Sequence, residues 1–247
     1  HIIGGYWKGL SAVIAGLIEC NSTAEVIIEY AVLSNCGGTL LDIDASPNVL
    51  VSGCQFKNCG YGLDTSNCEN SQILNNTYRD ITFFASNHSA NSGSTVNTVI
   101  FTGNEVDNTG DSGVLFRSFE NSTLHKVVAT GNILNNIGKV GMRASIPASN
   151  NNAVIGDVVF SNNIITGYGM AISGFGIGLF SDAGNVSSTI NSAVVTGNVV
   201  DGKTKDGVSS ALTSGLWGYR LDDMNTLSGS GNVALNCNSS GFSISLD

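Results

Sequence analysis

The amino-acid sequence predicts an all-β protein folded as a single-stranded right-handed parallel β-helix, in which short three-strand coils stack along one axis. The first observation is a phrase that returns along the chain: alternating apolar residues, a bend of small residues ending in Asn, and a further apolar pair. The second is a Gly and another short strand after each copy. The composition agrees, because 31 Gly, 2 Pro and 12% charged residues favour tight turns and strands over helices. A repeat of this kind is typical of a solenoid.

The copies of the phrase share the apolar alternation and the bend. They are VLVSGCQF from Val49, SQILNNTY from Ser71, VIFTGNEV from Val99, VVATGNIL from Val127, VVFSNNII from Val158, AVVTGNVV from Ala193 and the weaker LSGSGNVA from Leu227. The recurrent asparagines are Asn76, Asn104, Asn132, Asn163, Asn198 and Asn232. Asn tolerates the left-handed backbone of a sharp bend, and stacked Asn side chains can hydrogen-bond along the axis. We therefore predict a left-handed conformation at these residues and an asparagine ladder.

The spacing of the second strand predicts coils of about 22 residues followed by coils with insertions. Its first inward residues are Ile18, Leu41, Leu63, Val114, Met142, Leu179 and Phe242. The extra residues fall in polar stretches at 86–95, 145–153, 181–192 and 201–210, which we interpret as surface loops. We also expect His88 and His125 to lie in loops. We therefore expect about nine coils in one domain, 1–247, which we interpret as a fragment of a longer chain. A β-propeller would need four strands per unit, and a sandwich would not repeat the bend so regularly.

Charge and cysteine usage exclude several classes of function. The net charge is −9 with a pI near 4.6 and without a Lys/Arg cluster, so we expect neither nucleic acid nor an anionic membrane as partner. The six cysteines form no CxxC pair, so zinc or thioredoxin-type chemistry has no support. Cys36, Cys59 and Cys237 fall at one point of the repeat and are predicted to fill small buried sites.

The outward positions of the second strand carry a predicted ladder of carboxylates. Alternation places Glu19, Asp42 and Asp64 outward on three consecutive coils, ~4.8 Å apart, with Asp44 beside them. Like charges at this spacing repel and raise the proton affinity of some carboxyl groups. Exposed acids can also serve only to discourage aggregation between sheets. For the ladder as a whole, we interpret the pattern as functional.

Two chemistries fit such a ladder. Carboxyl groups ~5 Å apart suit a retaining glycosidase, and a diagonal pair such as Asp44 and Asp64 suits the ~6.5–9.5 Å of an inverting one. Clustered carboxylates also suit Ca²⁺, and with Arg117 or Arg143 as base the site would resemble a calcium-dependent polysaccharide lyase.

The same two outward rows continue into later coils. Beyond one coil whose residues are not assigned, the row of Asp42 and Asp64 is predicted to continue with Leu115, Arg143 and Phe180. The row of Asp44 is predicted to contain Ser66, Arg117, Ser145 and Asp182. The arginines and Asp182 are predicted to bind substrate.

Weaker substrate-binding candidates lie outside these rows. Glu120, in FRSFENS, lies at a loop entry and is an acid, a base or a plain surface charge. Trp217 and Tyr219, in SGLWGYRLDD, either offer aromatic faces on which a sugar can stack or bury apolar area in a late coil. The sequence allows the strand to start at either Gly215 or Gly218. Arg220 belongs to a second charged cluster, in a binding groove or a subunit contact.

The coils, together with the opening phrase HIIGGYWKG, resemble the pectin-lyase-like β-helix superfamily, and within it most resemble bacteriophage tailspikes and capsule depolymerases. The resemblance implies recognition or cleavage of bacterial surface polysaccharide, a homotrimer, and a location outside the cell or on a virion. The Gly-His-Gly and Arg-x-Lys phrases of the polygalacturonase branch are absent, so the residue roles of that branch are not transferred.

The sequence therefore predicts a polysaccharide-degrading enzyme, with hydrolysis favoured over a lyase reaction and without a cofactor unless a lyase uses Ca²⁺. Asp42 and Asp64, with Glu19 or Asp44, would supply acid and nucleophile or base. The alternative is a non-catalytic glycan-binding adhesin or a structural tail-fibre shaft.

Overall fold

The protein is described by a computed structural model that covers residues 1–8, 16–148, 151–169, 174–181, 187–203, 217–222, 224–237 and 240–245. Within these ranges every regular element is a β-strand. In chain order the strands are β1 (Ile2–Ile3), β2 (Tyr6–Lys8), β3 (Ile18–Asn21), β4 (Glu25–Glu29), β5 (Val32–Asp44), β6 (Asn48–Ser52), β7 (Gln55–Ser66), β8 (Asn70–Leu74), β9 (Thr77–Ile81), β10 (Phe84–Ala90), β11 (Thr95–Thr102), β12 (Glu105–Thr109), β13 (Ser112–Ser118), β14 (Thr123–Thr130), β15 (Ile133–Ile137), β16 (Val140–Ile146), β17 (Val154–Ser161), β18 (Ile164–Thr166), β19 (Phe175–Ser181), β20 (Thr189–Thr196), β21 (Val199–Asp201), β22 (Trp217–Asp222), β23 (Met224–Ser230), β24 (Val233–Leu235) and β25 (Ser240–Ser245).

The strands form three parallel faces around one axis. The first face has the order β1-β4-β6-β8-β11-β14-β17-β20-β23. The second face is β2-β5-β7-β9-β12-β15-β18-β21-β24, and the third is β3-β5-β7-β10-β13-β16-β19-β22-β25. The long strands β5 and β7 turn the corner between the second and third faces and therefore belong to both. Across the described ranges each face thus has nine strands, which confirms the predicted parallel β-helix of about nine coils.

The register of the third face confirms the early inward positions and corrects a later one. Ile18 pairs with Leu41, Leu41 with Leu63, and further along the axis Val114 pairs with Met142. The partner of Met142 in the next coil is Ile177, so the predicted equivalence with Leu179 was wrong by two residues. Leu179 still points into the core, because a shift of two residues preserves the face of a strand.

The asparagine ladder is confirmed, but the predicted conformation of its members was wrong. Each ladder Asn is almost fully buried up to Asn198, and the Nδ2 of Asn104 donates to the Oδ1 of Asn132 at 3.2 Å, as Asn132 does to Asn163 at 2.9 Å. The left-handed φ belongs to the preceding residue, for example Gly103 at 67° and Asn162 at 53°. The ladder residue itself turns its amide into the core, where it satisfies backbone groups at the bend.

The segment predicted as a surface loop at 86–95 is in part a core strand. β10 supplies the third-face strand of a complete coil and pairs with both β7 and β13. His88, predicted to lie in a loop, is fully buried there, between the Oγ1 of Thr65 at 2.6 Å from Nδ1 and the Oγ of Ser86 at 2.9 Å from Nε2. His125 also lies in a strand, β14, where it is exposed.

The Gly that opens most third-face strands allows a close approach of two coils. A Cβ on Gly113 would lie 2.4 Å from the carbonyl oxygen of Gly141 and 2.6 Å from Cδ2 of Leu134. Both contacts are shorter than any tolerated carbon contact, so only Gly fits. The corner between the second and third faces is therefore tight, and the residue before each such Gly lies at the outer edge of the third face.

The cysteines and the absence of spanning helices complete the fold. Cys36 pairs in register with Cys59, and both are buried, as predicted for residues that fill small core sites. Cys237 is half-buried, and all six cysteines are free thiols. Among the residues that the structure covers, no helix has the length and apolar character needed to cross a membrane.

Candidate functional site

The outer surface of the third face carries two polar rows that run along the axis. The predicted carboxylate ladder is confirmed as a placement: Glu19 pairs directly with Asp42, and Asp42 with Asp64. The same row continues through positions paired coil by coil, which are Asn87, Leu115, Arg143, Gly178 and Arg220. The second row contains Asp44, Ser66, Ser89, Arg117, Ser145 and Phe180. We call these the first row and the second row.

Two carboxyl groups of the ladder, those of Asp42 and Asp64, bind protons more tightly than free aspartate side chains do. Partial burial raises the pKa of Asp42, and the negative charges of Glu19 and then Asp44 raise it further. Burial also raises the pKa of Asp64, and the charge of Asp42 adds to this, although a hydrogen bond from Asn87 opposes it. Two stacked carboxyl groups with raised pKa values are able to divide the roles of proton donor and carboxylate.

Asn87 links the acidic coils to a half-buried arginine, Arg117, and the sequence did not predict this link. Its Nδ2 donates to Oδ1 of Asp64 at 2.9 Å, and its Oδ1 accepts a hydrogen bond from Nε of Arg117 at 2.9 Å. The positive charge of Arg117 opposes the rise in the pKa of Asp64, and burial lowers the pKa of Arg117 itself. The buried Asn87 therefore fixes a carboxylate–amide–guanidinium chain across three coils.

The arginines lie against aromatic rings. The guanidinium carbon of Arg117 lies 5.3 Å from the ring centre of Phe119, and that of Arg143 lies 5.7 Å from Phe180. Arg220 lies 4.2 Å from the same Phe180 ring and also donates to Oδ2 of Asp222 at 2.7 Å. These contacts hold the guanidinium groups at the outer surface of the third face, so its early coils are acidic and its later coils basic.

The edge of the third face carries a group of aromatic side chains that sequence reasoning missed. Tyr61 stacks on Phe83 with ring centres 4.7 Å apart and packs tilted against Phe84 with ring centres 4.5 Å apart. Tyr61 and Phe84 hold the position immediately before the closely packed Gly62 and Ala85. The signal was present in the FF pair of ITFFASN, but interpreting the following residues as a loop concealed that it opens a strand.

The remaining predicted site residues have different surroundings. Glu120 is exposed in the turn after β13, and Trp217 packs on a small cluster outside the main core that includes Phe175 and Phe180. Tyr219 is the inward residue of its coil, so Gly218 and not Gly215 precedes the first inward position. Asp182 lies outside the described residues, and Phe180 holds the second-row place predicted for it, because the true partner of Met142 is Ile177.

The described residues form no cluster suited to a metal ion, and a shallow groove lies on another face. Within the described ranges, no three His, Cys, Asp or Glu side chains converge as a metal site would require. A groove of about 240 Å³ lies on the first face, between the outward side chains of Glu25, Ile27, Leu50 and Gln72. It is on a different face from the carboxylate ladder and contributes nothing to it.

Comparison with known proteins identifies the coil architecture. Residues 16–193 match the family model described as a right-handed β-helix region. Neither a curated protein nor a solved structure matched the chain. The matched residues include the whole ladder, Asn87 and both Arg117 and Arg143.

Proposed function

Because the chain belongs to the family of right-handed β-helix proteins, we propose that it is a polysaccharide-degrading enzyme that hydrolyses glycosidic bonds on its third face. A right-handed β-helix region fits proteins that act on polysaccharides in general. The observation that carries the proposal is the in-register ladder of Glu19, Asp42 and Asp64, joined to Arg117 through Asn87.

The ladder provides the two carboxyl groups that glycoside hydrolysis requires. Asp42 and Asp64 lie on neighbouring strands ~4.8 Å apart, which is close to the ~5–5.5 Å of retaining glycosidases. Asp64 accepts hydrogen bonds from Asn87 and from Ser66, at 2.9 and 3.5 Å, and such donors stabilise the ionised form. Asp42 faces the charges of Glu19 and Asp44, which favour its protonated form.

The proposed reaction assigns one role to each group. Asp42 donates its proton to the glycosidic oxygen as the leaving sugar departs, and the Asp64 carboxylate attacks the anomeric carbon to form a glycosyl-enzyme ester. Asp42, now ionised, takes a proton from water, whose oxygen displaces Asp64 and restores both carboxyl groups. Arg117 and Arg143 bind polar or acidic groups of the sugar chain.

The proposal also includes the biological setting. We propose a tailspike-like protein that acts on bacterial surface polysaccharide outside the cell or on a virion, as a homotrimer. The acidic early coils and the basic later coils would orient a polysaccharide chain along the axis of the β-helix.

The test combines cleavage with two substitutions. Asp42→Asn and Asp64→Asn should abolish release of oligosaccharides from a panel of bacterial capsular and O-antigen polysaccharides, with melting temperatures no lower than that of the unchanged protein. The matched control is Asp157→Asn, an exposed acid on the first face that accepts a hydrogen bond from Ser192. Full activity in both ladder variants would contradict the proposal.

The products and EDTA distinguish the alternatives. Fragments without ultraviolet absorbance from unsaturated sugar ends indicate hydrolysis, whereas absorbing, EDTA-sensitive fragments indicate a calcium-dependent lyase. Binding without fragments would instead indicate a glycan-binding adhesin, and neither binding nor fragments a structural shaft.

A further inference from the structure

We propose that Tyr61, Phe83 and Phe84 form a sugar-stacking subsite at the edge of the third face, which binds the apolar face of a pyranose ring in the polysaccharide chain. We call these three residues the aromatic platform. The inference rests on the proposed polysaccharide function of the same face and adds the residues that position the chain beside the carboxyl groups.

The platform is an ordered aromatic surface open to solvent. The rings of Tyr61 and Phe83 are stacked at an interplanar angle of 18°, and Phe84 is tilted against Tyr61 by 50°. Phe83 is 43% exposed although it is fully apolar, and Tyr61 and Phe84 are half-buried. An exposed ring that is held by stacking, and not by the core, is arranged to contact a ligand.

The platform lies beside the groups that would bind sugar hydroxyls. Tyr61 precedes Asp64 by three residues of the same strand, which places the two ~10 Å apart along the face. Phe84 has the same relation to Asn87 in the next coil, and the Arg117 guanidinium carbon lies 6.0 Å from the Phe84 ring. An apolar surface next to a row of carboxylate, amide and guanidinium groups has the two kinds of surface that a pyranose presents.

The chemistry favours a sugar over the other occupants of an apolar surface. A pyranose buries the C–H groups of one ring face on an aromatic ring while its hydroxyls stay bonded to polar groups at the rim. A protein bound on the platform would remove water from the charged groups of Asp42, Asp64 and Arg117 at the border of the interface. Removing water from charges that gain no new partner is costly. The ~10 Å separation also places the stacked sugar away from the bond that the carboxyl groups would cleave, so the platform positions the chain and is not catalytic.

The direct test is affinity electrophoresis of the full chain in native gels that contain bacterial capsular or O-antigen polysaccharides. Phe83→Ala should weaken retardation about tenfold, equivalent to about 1.4 kcal/mol. Phe83→Trp, which keeps an aromatic face, should retain it. With a polysaccharide that is cleaved, Phe83→Ala should raise KM and leave kcat within about twofold.

The control is Tyr30→Ala, because Tyr30 is 65% exposed but lies at the bend after the first-face strand β4. Unchanged retardation in Phe83→Ala, an equal loss in Tyr30→Ala, or a native protein that no polysaccharide retards would overturn the proposal. A change of molecular mass in solution on Phe83→Ala would also overturn it and would assign the platform to a contact between copies. Loss of retardation in Phe83→Ala together with full activity in Asp42→Asn and Asp64→Asn would support the subsite and refute only the catalytic assignment.

Discussion

The asparagine ladder makes a strong stability prediction, and Asn132 is its most informative position. The side chain is fully buried, and its Nδ2 donates to the Phe101 carbonyl oxygen and to Oδ1 of Asn163, both at 2.9 Å. Its Oδ1 accepts from the backbone N–H of Asn104 at 2.9 Å and from the Nδ2 of the same residue at 3.2 Å. Asn132→Ala removes all of these hydrogen bonds at once.

The expected cost follows from which groups lose their partners. The backbone N–H of Asn104 becomes a buried donor whose partner in the ladder is gone, which costs about 1–3 kcal/mol. The other lost bonds join groups that keep a second partner, so each costs about 0.5–1.5 kcal/mol. The free energy of unfolding should therefore fall by about 2.5–7.5 kcal/mol, which is large for one exchange of a polar residue.

The assay is equilibrium urea denaturation followed in parallel by far-ultraviolet circular dichroism and intrinsic fluorescence. Coincident curves would show that a single transition is measured, which a solenoid does not guarantee. The matched control is Asn97→Ala, an exposed asparagine in the strand β11, with an expected change within about 0.5 kcal/mol. If both variants lost the same small amount, the ladder would not stabilise the coils as argued.

Two pH-dependent predictions follow from the buried and stacked ionisable groups. The pKa of Asp42 is raised above 3.8 in the folded chain, so the charge of its carboxylate opposes folding at neutral pH. Asp42→Asn should therefore raise the free energy of unfolding by up to about 1 kcal/mol at neutral pH. This gain should vanish below pH 3.8, where urea titrations of the two proteins should agree. Burial lowers the pKa of His88 from 6.5 to about 3, so the unfolded chain binds a proton that the folded chain refuses, and stability should fall as the pH drops from 6.5 to about 3. His88→Gln should flatten that slope, and an unchanged slope would refute the assignment to His88.

The early third-face coils could be predicted because their spacing is regular. Ile18, Leu41 and Leu63 are separated by nearly equal lengths of chain, so alternation alone decided which neighbours point outward. Glu19, Asp42 and Asp64 then had to stack, whatever the surrounding loops do. The periodicity of the asparagines determined their ladder for the same reason.

The later coils could not be predicted as well, because insertions change the number of residues per coil. The two-residue error at Leu179 placed Phe180 in the first row, whereas it lies in the second, because a shift of two residues preserves the alternation of inward and outward side chains. The third-face strand β10 could not be recognised in the sequence, because its inward residues Ser86 and His88 are polar. In the structure both are buried and they hydrogen-bond to each other.

The sequence by itself determined the solenoid and the stacked carboxylates of its early coils, since both depend on a period of two along a strand and on the near-constant spacing of those coils. Only the tertiary structure decided that Asn87 joins Asp64 to Arg117 and that Phe83 stacks on Tyr61. These contacts join residues of different coils through side-chain direction and burial, and no local pattern in the chain encodes either of them.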